Sequence, residues 1–494
     1  MSARQQTAVP PLARTPRGLA ARLARLLEEN GTLVMVVAAF GIVMLVALRH
    51  ALVVDGWLAL ASGREIAKHG LPSHDMLTVW AHGRRWVDQQ WLAQLLFYWL
   101  WRVGGFKLVL LVHASLATGA LAMAAALARR VGGTARAATW ICLPVIVAYY
   151  PEAAVMRPQS FAYPLFVAVL WLLVTDARSP SRRIFLTFPL LVLWANLHGS
   201  VLLGAGLVSL AGVVELVGSL RSEPRRLSRR ALAVATGAWL CLLVSPYAAH
   251  LPAYYEKVLF GGDFSHFVTE WAPTTLTAAT APVYLLVLAG MWLLGRAGGK
   301  VSAFEKLALL ATGVLGFQAL RNTAWLGLTA LVVLPVLVDS VRPVVDEPRR
   351  LNRLLATAVV AGALVATGGV AAKAQSWFVG GFPPAAAHAA AAAAGSDGKV
   401  LAMSPYADWL LWSNPELAGR VAFDARFELL TRSQLGTLGA FEARAGNWIS
   451  TARGYRVFVL DRRTDSKLRS ALVHAGIARL LLVDRDVVVL LRAG

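Results

Sequence analysis

Charged residues and cysteines are scarce in this chain. Only 15% of its 494 residues are charged, whereas soluble globular domains usually carry about 25%. The shortage of charge, together with 57% hydrophobic residues, argues against an ordinary soluble fold. The two cysteines, Cys142 and Cys241, both lie inside apolar runs, so neither a disulfide framework nor a cysteine metal site is indicated.

Acidic residues are also few, with 27 Asp and Glu against 48 Lys and Arg, which gives a formal net charge of +21. A strongly basic chain can indicate nucleic-acid binding, but no basic run here alternates with aromatic residues. The Lys and Arg residues instead flank apolar runs, as is typical of the cytoplasmic side of membrane proteins. We therefore expect no nucleic-acid partner.

Long apolar runs are abundant. Residues 32–48 hold no charge, and a run of this kind meets the lower limit of about 17 residues for a helix that crosses a bilayer. No small-residue cleavage site follows it, so we interpret it as a retained first helix rather than a signal peptide. The apolar runs along the chain predict about eleven transmembrane helices, several of which reach the length of a span only if adjoining loop residues extend them. They are residues 31–49, 107–128, 137–150, 160–175, 184–200, 201–218, 231–246, 282–295, 306–320, 322–338 and 354–372.

The distribution of Lys and Arg orients these helices. If residues 1–30 are a basic cytoplasmic N-terminus, the cytoplasmic segments hold 22 Lys and Arg in 83 residues and the outer loops hold eight in 102. This orientation is favoured because cytoplasmic loops carry the excess of Lys and Arg. Residues 50–106 then form a large outer loop. Its aromatic segment Trp91–Trp101 is too short to cross and is predicted to lie on the outer membrane surface.

The composition changes after the last predicted helix. Residues 373–398 form an Ala-rich linker, either a helical spacer or a flexible segment. Residues 399–494 predict a small α/β domain, which the helix count places outside the cytoplasm. Its predicted strands are Lys399–Met403, Arg420–Phe423, Val457–Leu460, Arg479–Val483 and Val487–Arg492. The predicted fold class is thus an all-α polytopic membrane domain over residues 31–372 with a small C-terminal α/β extracytoplasmic domain.

Several polar residues fall at or near the outer ends of helices that are far apart in the sequence. Ionisable side chains at membrane depth are costly and are therefore candidates for function. The candidates are Asp55, Arg157, Gln159, Asn196, His198, Arg321 and Asn322, with Asp75 and Gln90 in the first outer loop. A carboxylate can act as a general base toward a hydroxyl, and Arg can clamp a phosphate through two hydrogen bonds. The set predicts a site for a lipid phosphate at the outer leaflet.

These residues also have structural interpretations. Asp55 is a good residue to start a helix, and Arg157 and Arg321 can extend to lipid headgroups. His198 can be an interhelical hydrogen-bonding residue, and Asp75 a solvated turn residue. Convergence of the whole set on one outer site is what favours function, and that convergence depends on the predicted topology.

The first outer loop resembles that of a family of bacterial multi-pass membrane proteins. The resemblance lies in Asp55–Gly63, His69–Asp75 and Trp86–Leu92. The segments Met156–Gln159, Trp194–Gly199, Leu320–Asn322, Tyr406–Trp412 and Val421–Arg426 also resemble that family's pattern. The family in turn resembles the GT-C glycosyltransferases, the class of protein O-mannosyltransferases and lipid A aminoarabinose transferases.

This resemblance implies an inverting glycosyltransferase that takes a sugar from a polyprenyl-phosphate donor. The acidic residue that serves as the catalytic base in that class maps onto Asp55. Arg157 and Arg321 are then expected to hold the donor phosphate, and His198 and Asn196 to orient donor or acceptor. The acceptor is expected to be an extracytoplasmic glycan, lipid or protein.

The sequence departs from the pattern at two places. Gln90 stands where such loops often have Glu, and no second acidic residue adjoins Asp55. Because Mg²⁺ and Mn²⁺ favour carboxylate oxygens, the sequence does not favour a divalent metal site and no cofactor is expected.

Two other functions stay open. A lipid or polysaccharide transporter could also use intramembrane Arg and His, but transporters usually show repeated halves and broken midplane helices, and we find no internal repeat. The other is a non-catalytic relative that binds a lipid-linked glycan, which Gln90 leaves open.

Overall fold

The computed structural model describes residues 18–221, 227–260, 268–342 and 349–493. Four segments lie outside the described residues. Residues 1–17 belong to the predicted cytoplasmic N-terminus, 222–226 and 343–348 to two predicted cytoplasmic loops, and 261–267 to the second predicted outer loop. The first thirteen helices are α1 (Leu19–Ala47), α2 (Val54–His69), α3 (Trp91–Arg130), α4 (Ala135–Ala153), α5 (Ala162–Arg178), α6 (Thr187–Ala195), α7 (Val201–Arg221), α8 (Arg229–Leu240), α9 (Leu251–Phe260), α10 (Ala281–Ala297), α11 (Ala303–Gln318), α12 (Thr323–Val341) and α13 (Arg349–Ala371).

The C-terminal part contains five shorter helices and four strands. The helices are α14 (Pro384–Ala394), α15 (Tyr406–Ser413), α16 (Arg432–Ala443), α17 (Trp448–Arg453) and α18 (Ser466–His474). The strands are β1 (Val400–Ala402), β2 (Val457–Asp461), β3 (Ala478–Val483) and β4 (Val487–Arg492).

The helical part is polytopic. Seven helices of the described residues are long and apolar enough to cross a membrane, and an eighth crossing follows if α8 and α9, bent by 107°, are counted as one span. The seven are α1, α3, α5, α7, α10, α12 and α13. Each of the eleven predicted spans overlaps a helix, but among the described residues seven helices, or eight spans with the bent pair, are long and apolar enough to cross a membrane. The other three, α4, α6 and α11, have 19, nine and 16 residues.

Helix α12 is the most enclosed of these spans. Seventy-two per cent of its apolar window is buried, against 11% for α13. A helix that is apolar on all sides is usually buried, and α12 packs against α3, α4, α10 and α11. At its outer end the Thr323 hydroxyl donates to the carbonyl of Ala148 in α4 at 3.1 Å. The turn Leu320–Asn322 that precedes α12 therefore lies beside the outer end of α4.

Helix α3 is broken between its aromatic and its apolar part. Gly105 has a φ of 65°, and a Cβ there would lie 2.5 Å from Nε2 of Gln375. The Oε1 of Gln375 accepts a hydrogen bond from the backbone N–H of Lys107 at 3.2 Å, so this N–H has a partner despite the break in the helix. The segment Trp91–Trp101 is thus separated from the predicted span 107–128. Its place on the membrane surface stays a prediction.

The C-terminal part contains a four-stranded sheet of order β1-β2-β4-β3. Strand β1 pairs in parallel with β2, and the other two pairs are antiparallel. Four of the five predicted strands, including the hairpin, coincide with observed strands. The predicted strand Arg420–Phe423 is wrong, because only Val421 forms bridges, one to Val400 and one to Thr78.

Through these bridges, the segment that was predicted as a strand joins the sheet to the first outer loop. The N–H of Ala422 donates to the carbonyl of Val400 at 2.9 Å. On the other side, the N–H groups of Val79 and Trp80 donate to the carbonyls of Val421 and Ala422 at 2.8 and 3.0 Å. The segment is therefore a short connector between β1 and the outer loop.

The Ala-rich segment forms helix α14. Its buried face, Ala386, Ala387, Ala390 and Ala394, packs on β2, β3 and β4. Small side chains allow this close approach of a helix to a sheet. Of the two predicted alternatives, the structure therefore shows a helix, and one that belongs to the packing of the C-terminal part. The domain boundaries themselves stay a prediction.

We predict that the C-terminal part and residues 50–106 face away from the cytoplasm. Ser222, in the predicted cytoplasmic loop 219–230, lies outside the described residues, so Ser179 and Ser396, which are both exposed, are better probes. A membrane-impermeant maleimide should label Ser396→Cys in intact cells and Ser179→Cys only after lysis.

The two native cysteines are buried, so the maleimide should not label them. The unmodified chain serves as the control. Labelling of Ser179→Cys in intact cells would overturn the orientation.

Candidate active site

The backbone around Arg157 places this residue at the end of the helical part that is predicted to be the outer one. It precedes the 3₁₀ turn Pro158–Phe161, and the N–H of Met156 donates to the carbonyl of Ala51 at 2.8 Å. Gly56 permits this approach, because a Cβ there would lie 3.2 Å from the Met156 carbonyl oxygen. Arg157 therefore lies beside the first turn of α2.

Three carboxylates and a second guanidinium surround Arg157. Its Nε lies 3.3 Å from Oδ2 of Asp55, and its Nη1 lies 3.2 Å from Oε2 of Glu152. The same Nη1 pairs with Oε2 of Glu270, whose Oε1 lies 3.6 Å from Nη1 of Arg321. We call Asp55, Glu152, Arg157, Glu270 and Arg321 the outer charge cluster. It brings three of the sequence-predicted site residues, Asp55, Arg157 and Arg321, into one place.

Asp55 is the most accessible member of the outer charge cluster. Its side chain is 39% exposed, against 17% for Arg157 and 20% for Arg321. On its other sides the protein excludes water, and this desolvation raises the pKa of Asp55 above its usual range, although Arg157 and Arg321 act to lower it. A carboxylate with a raised pKa is a stronger proton acceptor.

His198 lies in the turn between α6 and α7. Its Nδ1 accepts a hydrogen bond from the N–H of Ser200 at 3.1 Å and lies 2.8 Å from the Ser200 hydroxyl. Because Nδ1 accepts, we assign the neutral ring with its proton on Nε2. None of the described residues accepts a hydrogen bond from that Nε2.

The two asparagines that were predicted to bind substrate form hydrogen bonds within the protein. Asn196 accepts a hydrogen bond from Nε1 of Trp91 at 3.0 Å and donates to the carbonyl of Val244 at 2.9 Å. Asn322 donates to the carbonyl of Leu315 at 3.1 Å. These bonds join α3 and the end of α6 to the segment that follows α8, and fix the turn before α12. The substrate-binding role of both residues stays a prediction.

The two predicted glutamines differ. Gln159 is 1% exposed, and its Oε1 has no hydrogen-bond partner among the described residues. Gln90 is the residue before α3, and its backbone carbonyl accepts from the N–H of Gln94 at 3.2 Å. A buried oxygen without a partner costs free energy unless water or a ligand satisfies it, so Gln159 is the stronger binding candidate.

Asp75 is engaged by the C-terminal part instead of the outer charge cluster. Its Oδ1 accepts from Nη2 of Arg426 at 2.5 Å, and its Oδ2 accepts from the Thr78 hydroxyl at 2.7 Å. Arg426 also pairs with Asp424 and lies 4.1 Å from the ring centre of Trp86. Burial acts to raise the pKa of Asp75, but Arg426 and these hydrogen bonds prevail and lower it. In this structure Asp75 joins the outer loop to the C-terminal part.

The C-terminal part also places a carboxyl group near Asp55. Asp408 is 1% exposed and belongs to α15, which packs against α2. Arg64 of α2 holds this packing by donating to the carbonyls of Leu411 and Trp412, both at 2.7 Å. Burial, and then the charges of neighbouring carboxylates that include Asp55, raises the pKa of Asp408 well above its usual range. The C-terminal part therefore borders the candidate site.

Sequence reasoning does not identify Glu152, Glu270 or Asp408. A usable signal exists for the first two, because Glu152 ends the apolar run of α4 and Glu270 directly precedes Trp271 in a chain with few acidic residues. Such acids at helix ends are candidates by the same argument that selects the arginines. Asp408 has no such signal, since its approach to Asp55 depends on the docking of α15 on α2.

The cluster is arranged around a guanidinium. Within the described residues, no group of three or more His, Cys, Asp or Glu side chains is placed to hold a metal ion. The oxygens of Asp55, Glu152 and Glu270 are directed at Arg157. A divalent cation would need such oxygens as its own ligands. That no cofactor is needed stays a prediction.

Comparison with solved structures shows what this architecture resembles. ArnT from Cupriavidus metallidurans in the apo state superposes with a TM-score of 0.51 at 16% identity, over 92% of this chain and 97% of that chain. ArnT bound to undecaprenyl phosphate gives 0.51 at 15% identity over the same shares. The archaeal oligosaccharyltransferase AglB from Archaeoglobus fulgidus, in complex with an inhibitory peptide and a dolichol-phosphate, gives 0.50 at 10% identity, over 86% of this chain and 69% of that chain.

These likenesses confirm the predicted fold, a GT-C-like membrane domain with a small C-terminal α/β part. At 10–16% identity they establish the fold alone. No protein-family profile and no curated protein sequence matches the chain.

The Arg426 network yields a stability prediction. Arg426→Ala leaves the buried carboxylates of Asp75 and Asp424 without their cation, and breaking a buried ion pair typically costs about 3–5 kcal/mol. We expect a loss of this size in the free energy of unfolding of the C-terminal part. Unfolding is measured in detergent through the intrinsic fluorescence of Trp86 and its neighbours.

Arg463→Ala is the matched control, because Arg463 is exposed in the same part of the chain. That variant should unfold within about 0.5 kcal/mol of the unmodified protein. Equal stability of the two variants would contradict the importance of the Arg426 network.

Proposed function

We propose that this chain is a membrane glycosyltransferase that moves a sugar from a polyprenyl-phosphate donor to an extracytoplasmic glycan, lipid or protein acceptor. The observation that carries the proposal is the outer charge cluster, in which the carboxylate of Asp55 adjoins the guanidinium of Arg157 and Glu270 links Arg157 to Arg321. The likeness to ArnT, which has been solved bound to undecaprenyl phosphate, supports this class of donor.

Asp55 is proposed as the general base. The acceptor hydroxyl transfers its proton to the Asp55 carboxylate while its oxygen attacks the anomeric carbon of the sugar. The bond between that carbon and the phosphate oxygen breaks, and the configuration at the anomeric carbon inverts. The accessible surface of Asp55 and its raised pKa both suit this task.

Arg157 and Arg321 are proposed to bind the donor phosphate. The polyprenyl phosphate that leaves carries the developing negative charge, and guanidinium groups stabilise such charge through paired hydrogen bonds. Arg321 is held in place by Trp271, whose ring centre lies 4.6 Å from its guanidinium carbon. A fixed cation stabilises the leaving group without a reorganisation cost at the moment of reaction.

The remaining polar groups are proposed to orient the sugars. The Nε2–H of His198 can donate, and the unpaired Oε1 of Gln159 can accept, a hydrogen bond from a sugar hydroxyl. Asn196, Asn322 and Gln90 would act indirectly, by fixing the turns that present these groups. The C-terminal part, through α15, is proposed to position the acceptor next to Asp55.

The two alternative functions make less use of this geometry. A lipid transporter or a non-catalytic glycan-binding protein would use Arg157 and Arg321 to hold a phosphate. Neither needs an accessible carboxylate of raised pKa beside them. The alternatives therefore differ from the proposal in what the loss of Asp55 does.

We expect Asp55→Asn to retain donor binding and to lose transfer by about 10²–10⁴-fold, the usual contribution of a general base. Asn is nearly isosteric with Asp but accepts no proton. The donor is first identified by mass spectrometry of the lipids that co-purify with the protein, and transfer of its sugar to membrane extracts is then measured.

Glu65→Gln is the matched control, since Glu65 lies in the same helix and its ion pairs within the described part of the chain are with Arg64 and His69. It should transfer at nearly the normal rate. Transfer within about threefold of normal by a folded Asp55→Asn protein would remove Asp55 as the base and favour one of the alternatives.

Arg157→Lys and Arg321→Lys should each weaken binding of undecaprenyl phosphate by about tenfold or more. Lys keeps the charge but lacks the planar fork that engages two phosphate oxygens. Binding is measured in detergent micelles by native mass spectrometry.

The exposed Arg85, in the same outer loop as Asp55, supplies the control substitution Arg85→Lys. Unchanged binding in both cluster variants would show that these arginines do not contact the phosphate.

A further inference from the structure

Glu270 bridges the two arginines of the outer charge cluster. Its Oε2 pairs with Nη1 of Arg157, and its Oε1 lies 3.6 Å from Nη1 of Arg321. Among the ion pairs of the described residues, Asp55 and Glu152, in contrast, each contact Arg157 and no second guanidinium. Two oxygens of one group that face two separate guanidiniums are also what a phosphate presents. Glu270 therefore lies where a phosphate that binds both arginines would lie.

The net charge of the outer charge cluster disfavours binding of a phosphate while Glu270 occupies this position. Three carboxylates and two guanidiniums give the outer charge cluster a formal charge of −1. A phosphate that entered beside Glu270 would add negative charge to an already negative, partly desolvated site. Like charges at contact distance repel strongly where water is partly excluded. If the phosphate replaces Glu270, the remaining two carboxylates and two guanidiniums are neutral before it arrives.

The surroundings allow this exchange at Glu270 and not elsewhere in the cluster. Asp55 and Glu152 lie in helices α2 and α4, whereas Glu270 lies in the short turn Thr269–Trp271. Displacing Glu270 exposes both guanidiniums, and displacing either other carboxylate would free only Arg157. Arg321 also lies against the ring of Trp271, so its guanidinium has a second contact besides the Glu270 carboxylate.

We propose that the Glu270 carboxylate occupies the phosphate position of the ligand-free site and is replaced there by the phosphate of the lipid donor. This rests on the proposed function. Glu270 thereby competes with the donor and lowers its apparent affinity, because the binding-competent arrangement is only a fraction of the population. It also competes with the polyprenyl phosphate that remains after transfer and so favours its release.

The test measures binding of undecaprenyl phosphate to the full chain in detergent micelles. Glu270→Gln keeps the size of the side chain and removes its charge, so we expect binding at least about tenfold tighter than in the unmodified protein, a change of about 1.4 kcal/mol. Glu270→Asp keeps the charge and should give no comparable gain. Glu256→Gln is the matched control, because Glu256 is an exposed residue of the same outer loop, and it should bind normally.

Two further probes separate the sources of the effect. Undecaprenol, which has the lipid tail without the phosphate, should bind equally to the unmodified protein and to Glu270→Gln. Inorganic phosphate alone should compete more strongly against undecaprenyl phosphate in Glu270→Gln if the headgroup drives the gain. A gain seen with undecaprenol as well would overturn the inference, because it would arise from the tail.

The outcomes also distinguish this inference from the proposed function. If the unmodified protein does not prefer undecaprenyl phosphate over undecaprenol, the phosphate site fails and the inference fails with it. If that preference is present but Glu270→Gln binds no tighter than the unmodified protein, the proposed function stands and the role of Glu270 is wrong.

Discussion

The placement of one guanidinium among three carboxylates organises the outer end of this membrane domain. Arg157 is held by the backbone bond from Met156 to Ala51, and it gathers Asp55, Glu152 and Glu270 around itself. Charges that are partly removed from water are tolerated only when they are paired. The ends of α2, α4 and α5 and the turn before α10 must therefore meet at this point, and the candidate site is built from that meeting.

A second guanidinium, which is buried, pairs with carboxylates of two separate regions of the chain. Arg426 pairs with Asp75 of the first outer loop and with Asp424 of the C-terminal part. Together with the backbone bonds from Val79 and Trp80 to the segment Val421–Ala422, it ties the two regions into one packed unit. The outer loop thus has a defined shape, and Asp55 at its start is presented in a defined position.

The contact between α15 and α2 connects this outer unit to the site. Phe382 packs against Trp57, two residues after Asp55, with ring centres 5.1 Å apart, and Trp409 packs against Phe382 at 5.7 Å. Asp408, next to Trp409, is thereby carried toward Asp55. A part of the chain that is distant in sequence and outside the apolar spans therefore shapes the environment of Asp55. In the proposed function, this contact links acceptor positioning to proton transfer.

The sequence by itself determined the elements of this protein. Long apolar runs marked the helices, short apolar runs after residue 399 marked four strands, and the rarity of ionisable residues near helix ends singled out Asp55, Arg157 and Arg321, because those signals are local. The tertiary structure alone decided the partners. Glu270 and Asp408 join the site, and Asp75 pairs with Arg426, through contacts between residues that are far apart in the sequence. Ion pairs form at about 3 Å, a distance that helix packing sets and periodicity does not encode.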